Sequence, residues 1–382
     1  MKKLALLTLG FLITFSINSQ DKRLKNVEKE LNKILELTNA AGFAVAVVEG
    51  DKIIYAQGFG YRDYENKVPV DANTLFAIGS STKAFTSSIL GILRADEKLS
   101  FDDQPKKHIP ELEFYNDDMN NNIIIKDLMR HSTGLPRHDG SWYYFPSHDK
   151  DSLLMRLKHH EPFTGIRQQW YYNNFGFLTQ GVIAERITGK SWEDNLKEHF
   201  FTPLEMTRTN ATIAEMKSAS NASYGYEVKD DIIKKMDYYD IAGMSPAGSI
   251  NSSVNDMSKW LMTWINDGKY KGEEIIPESY INEAMSSQMV VGANIPDDKF
   301  PDIHFANYGY GWFLQSYKGH YRVEHGGNID GFSANVAFFP SDNIGIVVLA
   351  NQNVSSVPTL VRNTIADRMI GEEQTDWIGR YE

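Results

Sequence analysis

The clearest pattern of apolar and polar positions lies between Thr74 and Arg94. A short apolar run leads to Gly79, and the apolar residues after it recur at spacings of three and four: Phe85, Ile89, Ile92 and Leu93. Such spacing aligns one apolar stripe along a helix, which predicts a buried helix here. Ser80 would lie in its first turn, with Lys83 three residues later on the same face.

Strand patterns appear towards both ends of the chain. After a predicted amphipathic helix within residues 21–40, apolar runs at 43–48 and 52–56 flank a short polar turn, which predicts a β-hairpin. Near the other end, three more apolar runs predict strands and a last periodic segment predicts a helix, at 322–324, 332–339, 344–350 and 357–370. Between them, residues 96–240 carry mainly helical patterns, including one short helix at 122–131.

This order predicts a mixed α/β (α+β) fold with a helical insertion. We expect a sheet domain built from residues 21–79 and 241–372, a mainly helical domain from residues 80–240, and a tail at 373–382.

The first twenty residues differ in composition from the rest. Lys2 and Lys3 precede an uncharged run from Leu4 to Ile17, which is typical of a secretory signal peptide over residues 1–20. The alternative is a retained N-terminal anchor. Removal of the peptide would leave no transmembrane segment and a net charge of −11 − 2 = −13. We therefore expect an exported protein, periplasmic or extracellular.

Composition excludes several classes of function. The formal charge of −11 makes nucleic acid an unfavourable partner, because no basic patch is present to neutralise phosphates. The absence of cysteine excludes disulfides and thiolate metal sites. The sequence also lacks the His-Glu-x-x-His zinc motif, so no metal or cofactor is expected.

The Ser80-x-x-Lys83 spacing suggests nucleophilic chemistry. A serine hydroxyl is a poor nucleophile until a neighbouring group takes its proton, and an amine one helical turn away can assist. The motif alone is weak, because Ser147-His148-Asp149-Lys150 has the same spacing in a polar stretch without an apolar stripe. Our hypothesis is that Ser80 is an acylated nucleophile.

A second candidate element is Tyr172-Asn173-Asn174, which precedes an apolar helix. A phenol with its usual pKa of about 10 is no base at neutral pH, but a nearby Lys83 ammonium would stabilise its phenolate. Tyr172 could then relay protons, while Asn174 hydrogen-bonds substrate or Lys83. The competing interpretation is an aromatic core cluster.

A third element is Glu324-His325-Gly326-Gly327-Asn328-Ile329-Asp330-Gly331, which we predict to lie at a strand end. Two adjacent glycines let substrate approach the backbone, and a strand edge there could offer an N–H group to an oxyanion. The alternative is that His325 is a histidine in a turn with no catalytic or binding role.

Together these elements resemble the serine β-lactamase and penicillin-binding protein superfamily. The similarity is to the class C β-lactamase-like branch, which includes esterases and D-amino-acid peptidases. The matching stretches follow the family's order: FAIGSSTKAF, IIIKDLMRHSTGLP, WYYNNFGFLTQG, PAGSINSSVNDMSKWL, YGYGW and EHGGNIDGF through NIGIVVLAN.

The resemblance implies a fold and a set of roles. The fold would be a mainly antiparallel sheet flanked by helices, with an inserted all-helical domain and the site between them. Ser80 would be the nucleophile, Lys83 its partner and Tyr172 the acid/base, with Asn174 in the second motif. The backbone N–H groups of Ser80 and Asn328 would form the oxyanion hole.

One departure from the family bears on the substrate. The third motif of its β-lactamases is Lys-Thr-Gly, whereas this chain has His325-Gly326-Gly327. A histidine is mostly neutral at pH 7, which favours the esterases and peptidases of the family. The sequence thus predicts a cofactor-free serine hydrolase acting on a small-molecule or peptide amide or ester. The alternatives are a true β-lactamase and a penicillin-binding sensor or scaffold without turnover.

Overall fold

The computed structural model describes residues 21–292, 301 and 303–381. The predicted signal peptide and the last residue of the predicted tail lie outside these described residues. No helix within the described ranges is long and apolar enough to cross a membrane.

The centre of the molecule is a nine-stranded antiparallel sheet with the order β10-β11-β12-β13-β14-β15-β1-β2-β3. Short two-stranded ladders join the remaining strands. The strand bounds are β1 Gly42–Glu49, β2 Lys52–Asp63, β3 Val68–Pro69, β4 Phe76–Ala77, β5 Gly225–Lys229, β6 Ile232–Met236, β7 Asn251–Ser252, β8 Lys269–Tyr270, β9 Glu273–Glu274, β10 Met289–Gly292, β11 Ala306–Tyr308, β12 Phe313–Tyr317, β13 His320–Ile329, β14 Phe332–Phe339 and β15 Ile344–Ala350.

Helices cover both faces of this sheet. Their bounds are α1 Val27–Leu37, α2 Lys83–Ala95, α3 Asp117–Asn122, α4 Ile125–Met129, α5 Gly140–Tyr143, α6 Lys150–Leu154, α7 Asn174–Thr188, α8 Trp192–Leu196, α9 Ile213–Ser218, α10 Ser245–Gly248, α11 Val254–Ile265, α12 Glu278–Ala284, α13 Val357–Met369 and α14 Trp377–Tyr381.

Strand β1 shows why the sheet is covered on both sides. Its residues are apolar without alternation because each face is buried against a different layer of helices. Phe43, Val45 and Val47 pack in the core with α1 and α13. Ala44, Ala46 and Val48 pack in the second core, which includes α2 and α11. The predicted mixed fold with a mainly antiparallel sheet is confirmed, and the predicted hairpin corresponds to β1 and β2.

The structure adds local details that the sequence patterns did not predict. The predicted mainly helical stretch contains the β5–β6 hairpin, whose turn residues Asp230 and Asp231 both have positive φ, 55° and 58°. This is the backbone of a tight hairpin turn, in which glycine and asparagine are the usual signals. The short helix predicted at 122–131 corresponds to α4, which is shorter than predicted, and a separate helix, α3, precedes it. The predicted tail includes α14, and the Trp377 indole donates to the buried Asp367.

Candidate active site

Ser80 lies in a single 3₁₀ turn, Gly79–Thr82, that runs directly into α2. Gly79 has a φ of +51°, and a Cβ there would lie 2.8 Å from the Asn328 nitrogen. Only glycine therefore fits at this approach of the turn to β13. The Ser81 hydroxyl donates to the His325 carbonyl at 3.0 Å, which fixes the turn to the strand.

Lys83 is completely buried, one helical turn from Ser80. Its Nζ lies 3.0 Å from Ser80 Oγ and donates to the Ala247 carbonyl at 2.7 Å. Within the described ranges it forms no ion pair with a carboxylate. Burial holds the pKa of Lys83 well below its usual value, although the charge of Asp139 acts in the opposite direction. A neutral amine at this position can accept a proton from the serine hydroxyl.

Tyr172 reaches the same point from a distant part of the chain. Its phenol lies near enough to Ser80 for this contact to act on the phenol's pKa, and Lys83 Nζ lies 4.8 Å from its ring centroid. Burial raises the pKa of Tyr172 above its usual value of about 10, while the contact with Ser80 acts to lower it. The expected stabilised phenolate is therefore wrong: the lysine is the group whose charge is suppressed, and the phenol keeps its proton.

The two asparagines after Tyr172 have different tasks. Asn173 caps α7 by accepting the Gly176 N–H at 2.9 Å, a common way to satisfy the first turn of a helix. Asn174 lines a cavity at Ser80, and its amide donates to Asp139 Oδ1 at 2.9 Å. The structure thus brings Asn174 to the site but gives its amide an aspartate partner where we expected Lys83 or substrate.

The glycine pair lies inside β13 and not at a strand end, so this prediction was wrong. β13 pairs with β14 as far as Ile329, but with β12 only as far as Glu324. The edge beyond Glu324 faces the nucleophile turn. A Cβ on Gly327 would lie 1.9 Å from the Ile78 carbonyl and 3.1 Å from the Ser80 nitrogen. Glycine at this position therefore brings the backbone amides of Ser80 and Asn328 into one small region.

His325 is buried beside this edge. Its Nε2 lies 3.1 Å from the Tyr308 hydroxyl, and its Nδ1 lies 2.6 Å from the Gly326 carbonyl. Burial, reinforced by the nearby Lys83, lowers the pKa of His325 to about 3. The ring is therefore neutral at pH 7, and it supplies no positive charge where the family's β-lactamases carry a lysine.

Two cavities meet at Ser80. The larger one, about 520 Å³, has aromatic walls and is lined by Ser80, Arg137, Trp170, Tyr171, Tyr172, Phe313, His325, Gly326 and Asn328. The smaller one, about 170 Å³, includes Arg137, Asp139, Asn174, Tyr239 and Asp330 among its lining residues. Across the described part of the chain, no group of three or more His, Asp or Glu side chains could hold a metal ion.

The sequence patterns missed several residues of this site. Arg137 and Asp139 lie in a stretch predicted only as loop, and their pairing at 2.6 Å depends on the fold. His131 belongs to the matching stretch IIIKDLMRHSTGLP but carried no assigned role. Its Nδ1 accepts the Asn173 N–H at 3.0 Å, and its carbonyl accepts the Tyr171 N–H at 3.0 Å. These two bonds fix the backbone on both sides of Tyr172.

Comparison with known proteins adds the family. Residues 27–367 match the model of the Beta-lactamase family. Protein flp of Staphylococcus aureus (strain MW2) is 27% identical over 340 residues, and the match covers 86% of this chain but only 63% of that protein.

Solved structures agree at the level of the fold. A penicillin-binding protein homologue from Pyrococcus abyssi, described as octameric, superposes with a TM-score of 0.81 at 22% identity and covers 92% of this chain and 78% of that one. A class C beta-lactamase superposes with a TM-score of 0.74 at 20% identity, over 94% of this chain and 98% of that one. With the family model matching most of its length, the chain belongs to the beta-lactamase family, a family of serine hydrolases.

Proposed function

We propose that this protein cleaves an amide or ester bond through an acyl-enzyme on Ser80. The observation that carries the proposal is the contact between Ser80 Oγ and a buried Lys83 Nζ at 3.0 Å, with a lysine pKa held low by burial. An uncharged amine beside a hydroxyl is the arrangement that activates a serine without a histidine.

The steps follow from these positions. Ser80 Oγ attacks the carbonyl carbon while its proton passes to Lys83 Nζ, and the oxyanion accepts hydrogen bonds from the Ser80 and Asn328 amides. The Tyr172 hydroxyl then gives its proton to the leaving nitrogen or oxygen as the bond to carbon breaks, and Lys83 returns a proton to Tyr172. Water releases the acyl group by the reverse sequence. In this scheme Lys83 is the base in acylation and Tyr172 is the acid.

The neutral His325 favours a peptidase or esterase over a dedicated β-lactamase, because the third motif lacks the charged lysine that the family's β-lactamases carry there. The test is turnover of nitrocefin, p-nitrophenyl esters and a D-Ala-D-Ala peptide by the same preparation. Ester or peptide turnover with little nitrocefin turnover supports the proposal. Preferential nitrocefin turnover would identify a β-lactamase, and a stable Ser80 adduct without product would identify a penicillin sensor.

The nucleophile can be tested independently of the substrate. A fluorophosphonate probe should label Ser80, as located by mass spectrometry of peptides, and should fail to label Ser80→Ala. Ser147→Ala is the matched control, because Ser147 has the same Ser-x-x-Lys spacing. Labelling that survives in Ser80→Ala would refute the proposed nucleophile.

We further propose that the protein is exported. The observation behind this is the layout of residues 1–20, with two lysines before an uncharged run. Expression of the full chain in a bacterium, followed by fractionation and N-terminal sequencing, tests it. A mature N-terminus near residue 21 in the periplasm or medium is expected, and an intact Met1 in the cytoplasm would contradict export.

A further inference from the structure

We infer that Arg137 binds a carboxylate on the leaving group of the substrate. This inference rests on the proposed acyl-enzyme chemistry and adds the class of leaving group. Arg137 lines both cavities that meet at Ser80, and it comes from the loop after α4.

The position of Tyr172 indicates which cavity holds the leaving group. Tyr172 lines the larger cavity but not the smaller one. A general acid must lie within hydrogen-bond reach of the atom that it protonates. The departing part of the substrate therefore occupies the larger cavity, and the acyl part extends towards Asn174 in the smaller one.

The two cavities differ in charge. Among the described residues that line the larger cavity, Arg137 alone has a side chain that is charged at neutral pH, because His325 is neutral. The smaller cavity also includes the carboxylates of Asp139 and Asp330. Electrostatic complementarity therefore favours an anionic group in the larger cavity.

The guanidinium is held in place with part of its hydrogen-bonding capacity unused. Arg137 Nε donates to Asp139 Oδ2 at 2.6 Å, and the guanidinium carbon lies 4.9 Å from the Tyr172 ring centroid. Asp139 is itself fixed by the Trp142 indole and the Asn174 amide, each at 2.9 Å. In the described part of the chain, the two terminal amino groups of Arg137 have no protein partner. A planar fork with two unused amino groups matches a carboxylate.

The walls of the larger cavity add a second requirement. Trp170, Tyr171 and Phe313 line it, and the Trp170 and Phe313 ring centroids are 5.8 Å apart. These rings favour an aromatic or aliphatic side chain on the leaving group. The preferred substrate is therefore an amide or ester of an apolar α-amino or α-hydroxy acid whose own carboxylate is free.

The test compares two esters that differ in one group. They are the N-benzoylglycyl ester of phenyllactic acid and the same ester with the carboxylate converted to a carboxamide, each made in both enantiomers. We expect the wild type to prefer the carboxylate through a lower KM. Arg137→Gln should reduce this preference by about 10- to 100-fold in kcat/KM, with little change for the carboxamide. Arg137→Lys should retain part of it, because the charge stays but the fork is lost.

Arg186→Gln is the matched control. Arg186 is also partly exposed and ion-paired, with Glu111 at 3.0 Å and Asp151 at 2.8 Å, but it lines neither cavity. Its substitution should leave the preference unchanged. An Arg137→Gln ratio within twofold of the wild type, or a wild type that prefers the carboxamide, would overturn the inference.

A binding measurement separates this inference from the proposed function. Calorimetric titration of the carboxylate ester into Ser80→Ala and into Ser80→Ala/Arg137→Gln reports the anion contact without turnover. Binding that weakens by about tenfold or more in the double variant supports the contact even if the wild type hydrolyses neither ester, a result that would refute only the proposed reaction. Equal binding by the two variants refutes the contact even if both esters are hydrolysed through Ser80.

Discussion

Two Ser-x-x-Lys tetrads that lie wholly within the described residues, those of Ser80 and Ser147, have very different surroundings. Lys83 is buried and its hydrogen bonds go to Ser80 and to a backbone carbonyl. Lys150, at the start of α6, instead donates to Glu185 at 2.7 Å and to Glu193. The Ser147 hydroxyl donates to the Asp149 carbonyl. The spacing is thus the same, but only one lysine lies beside its serine without a carboxylate partner. Reactivity depends on this environment and not on the spacing.

The largest difference between the two tetrads is expected in turnover when each serine is removed. Ser80→Ala should lower ester or peptide turnover by about 10⁴- to 10⁶-fold, because the nucleophile itself is lost. Ser147→Ala should retain wild-type turnover, since the Ser147 hydroxyl bonds with the nearby backbone N–H and carbonyl of Asp149 and takes no part in the Ser80 site. Steady-state kinetics of the two variants measures these losses of turnover. Comparable losses in both variants would contradict the proposal that only Ser80 is the nucleophile.

Removal of each lysine should give the next largest difference. Lys83→Gln should slow acylation by about 10²- to 10⁴-fold, as expected for loss of a general base. Lys150→Gln loses two ion pairs, with Glu185 and Glu193, that involve neither Ser80 nor Lys83, and it should leave acylation unchanged. Stopped-flow measurement of the acylation burst tests both variants. A full burst rate in Lys83→Gln would mean that another group takes the serine proton.

His131 supports the backbone around Tyr172 beside Ser80, and this support is part of the environment that distinguishes Ser80 from Ser147. His131→Leu should reduce kcat by about 10- to 100-fold with little change in KM, because Tyr172 loses a backbone support and shifts from Ser80. His131→Asn should recover most of kcat, since an asparagine oxygen can accept the Asn173 N–H. Asparagine also tolerates the positive φ of 59° at this position. Equal kcat values for the two variants would exclude a positioning role for Nδ1.

The smallest effect concerns stability and its dependence on pH. Because folding lowers the pKa of Lys83, the unfolded chain binds a proton that the native state does not, and Lys83 becomes increasingly destabilising as pH falls below about 10.4. Lys83→Met should therefore gain stability relative to the wild type between pH 10 and pH 7. Urea unfolding across this range measures the difference. Lys150→Met should instead lose stability, and a constant Lys83→Met difference would argue against the low lysine pKa.

The sequence predicted the parts of the fold whose signals are local. β1, β2, β14, β15 and the helix after Ser80 carry continuous apolar runs or a clear stripe, because they are buried on one or two faces. The hairpin with Asp230 and Asp231 lacks the expected turn residues, and β10 to β12 are short strands towards one edge. Their pairing depends on neighbours that are distant in sequence.

The same limit applies to the site. Ser80, Lys83 and Tyr172 were found because their motifs resemble a family pattern, and the structure brings them together. The protonation states were only partly predictable: the neutral His325 followed from residue type, whereas the raised tyrosine pKa follows from burial in the fold. Arg137 and His131 could not be assigned, since their contacts with Asp139 and Asn173 appear only after folding.

The close approach of Gly327 to the turn that carries Ser80 also determines when the active site can form during synthesis. The turn that carries Ser80 is synthesised early, but β13, which packs against it, is translated more than two hundred residues later. Strand β1 likewise pairs with β15, which comes near the end of the chain. A ribosome-bound chain that stops before β13 therefore carries a serine without its amide cradle.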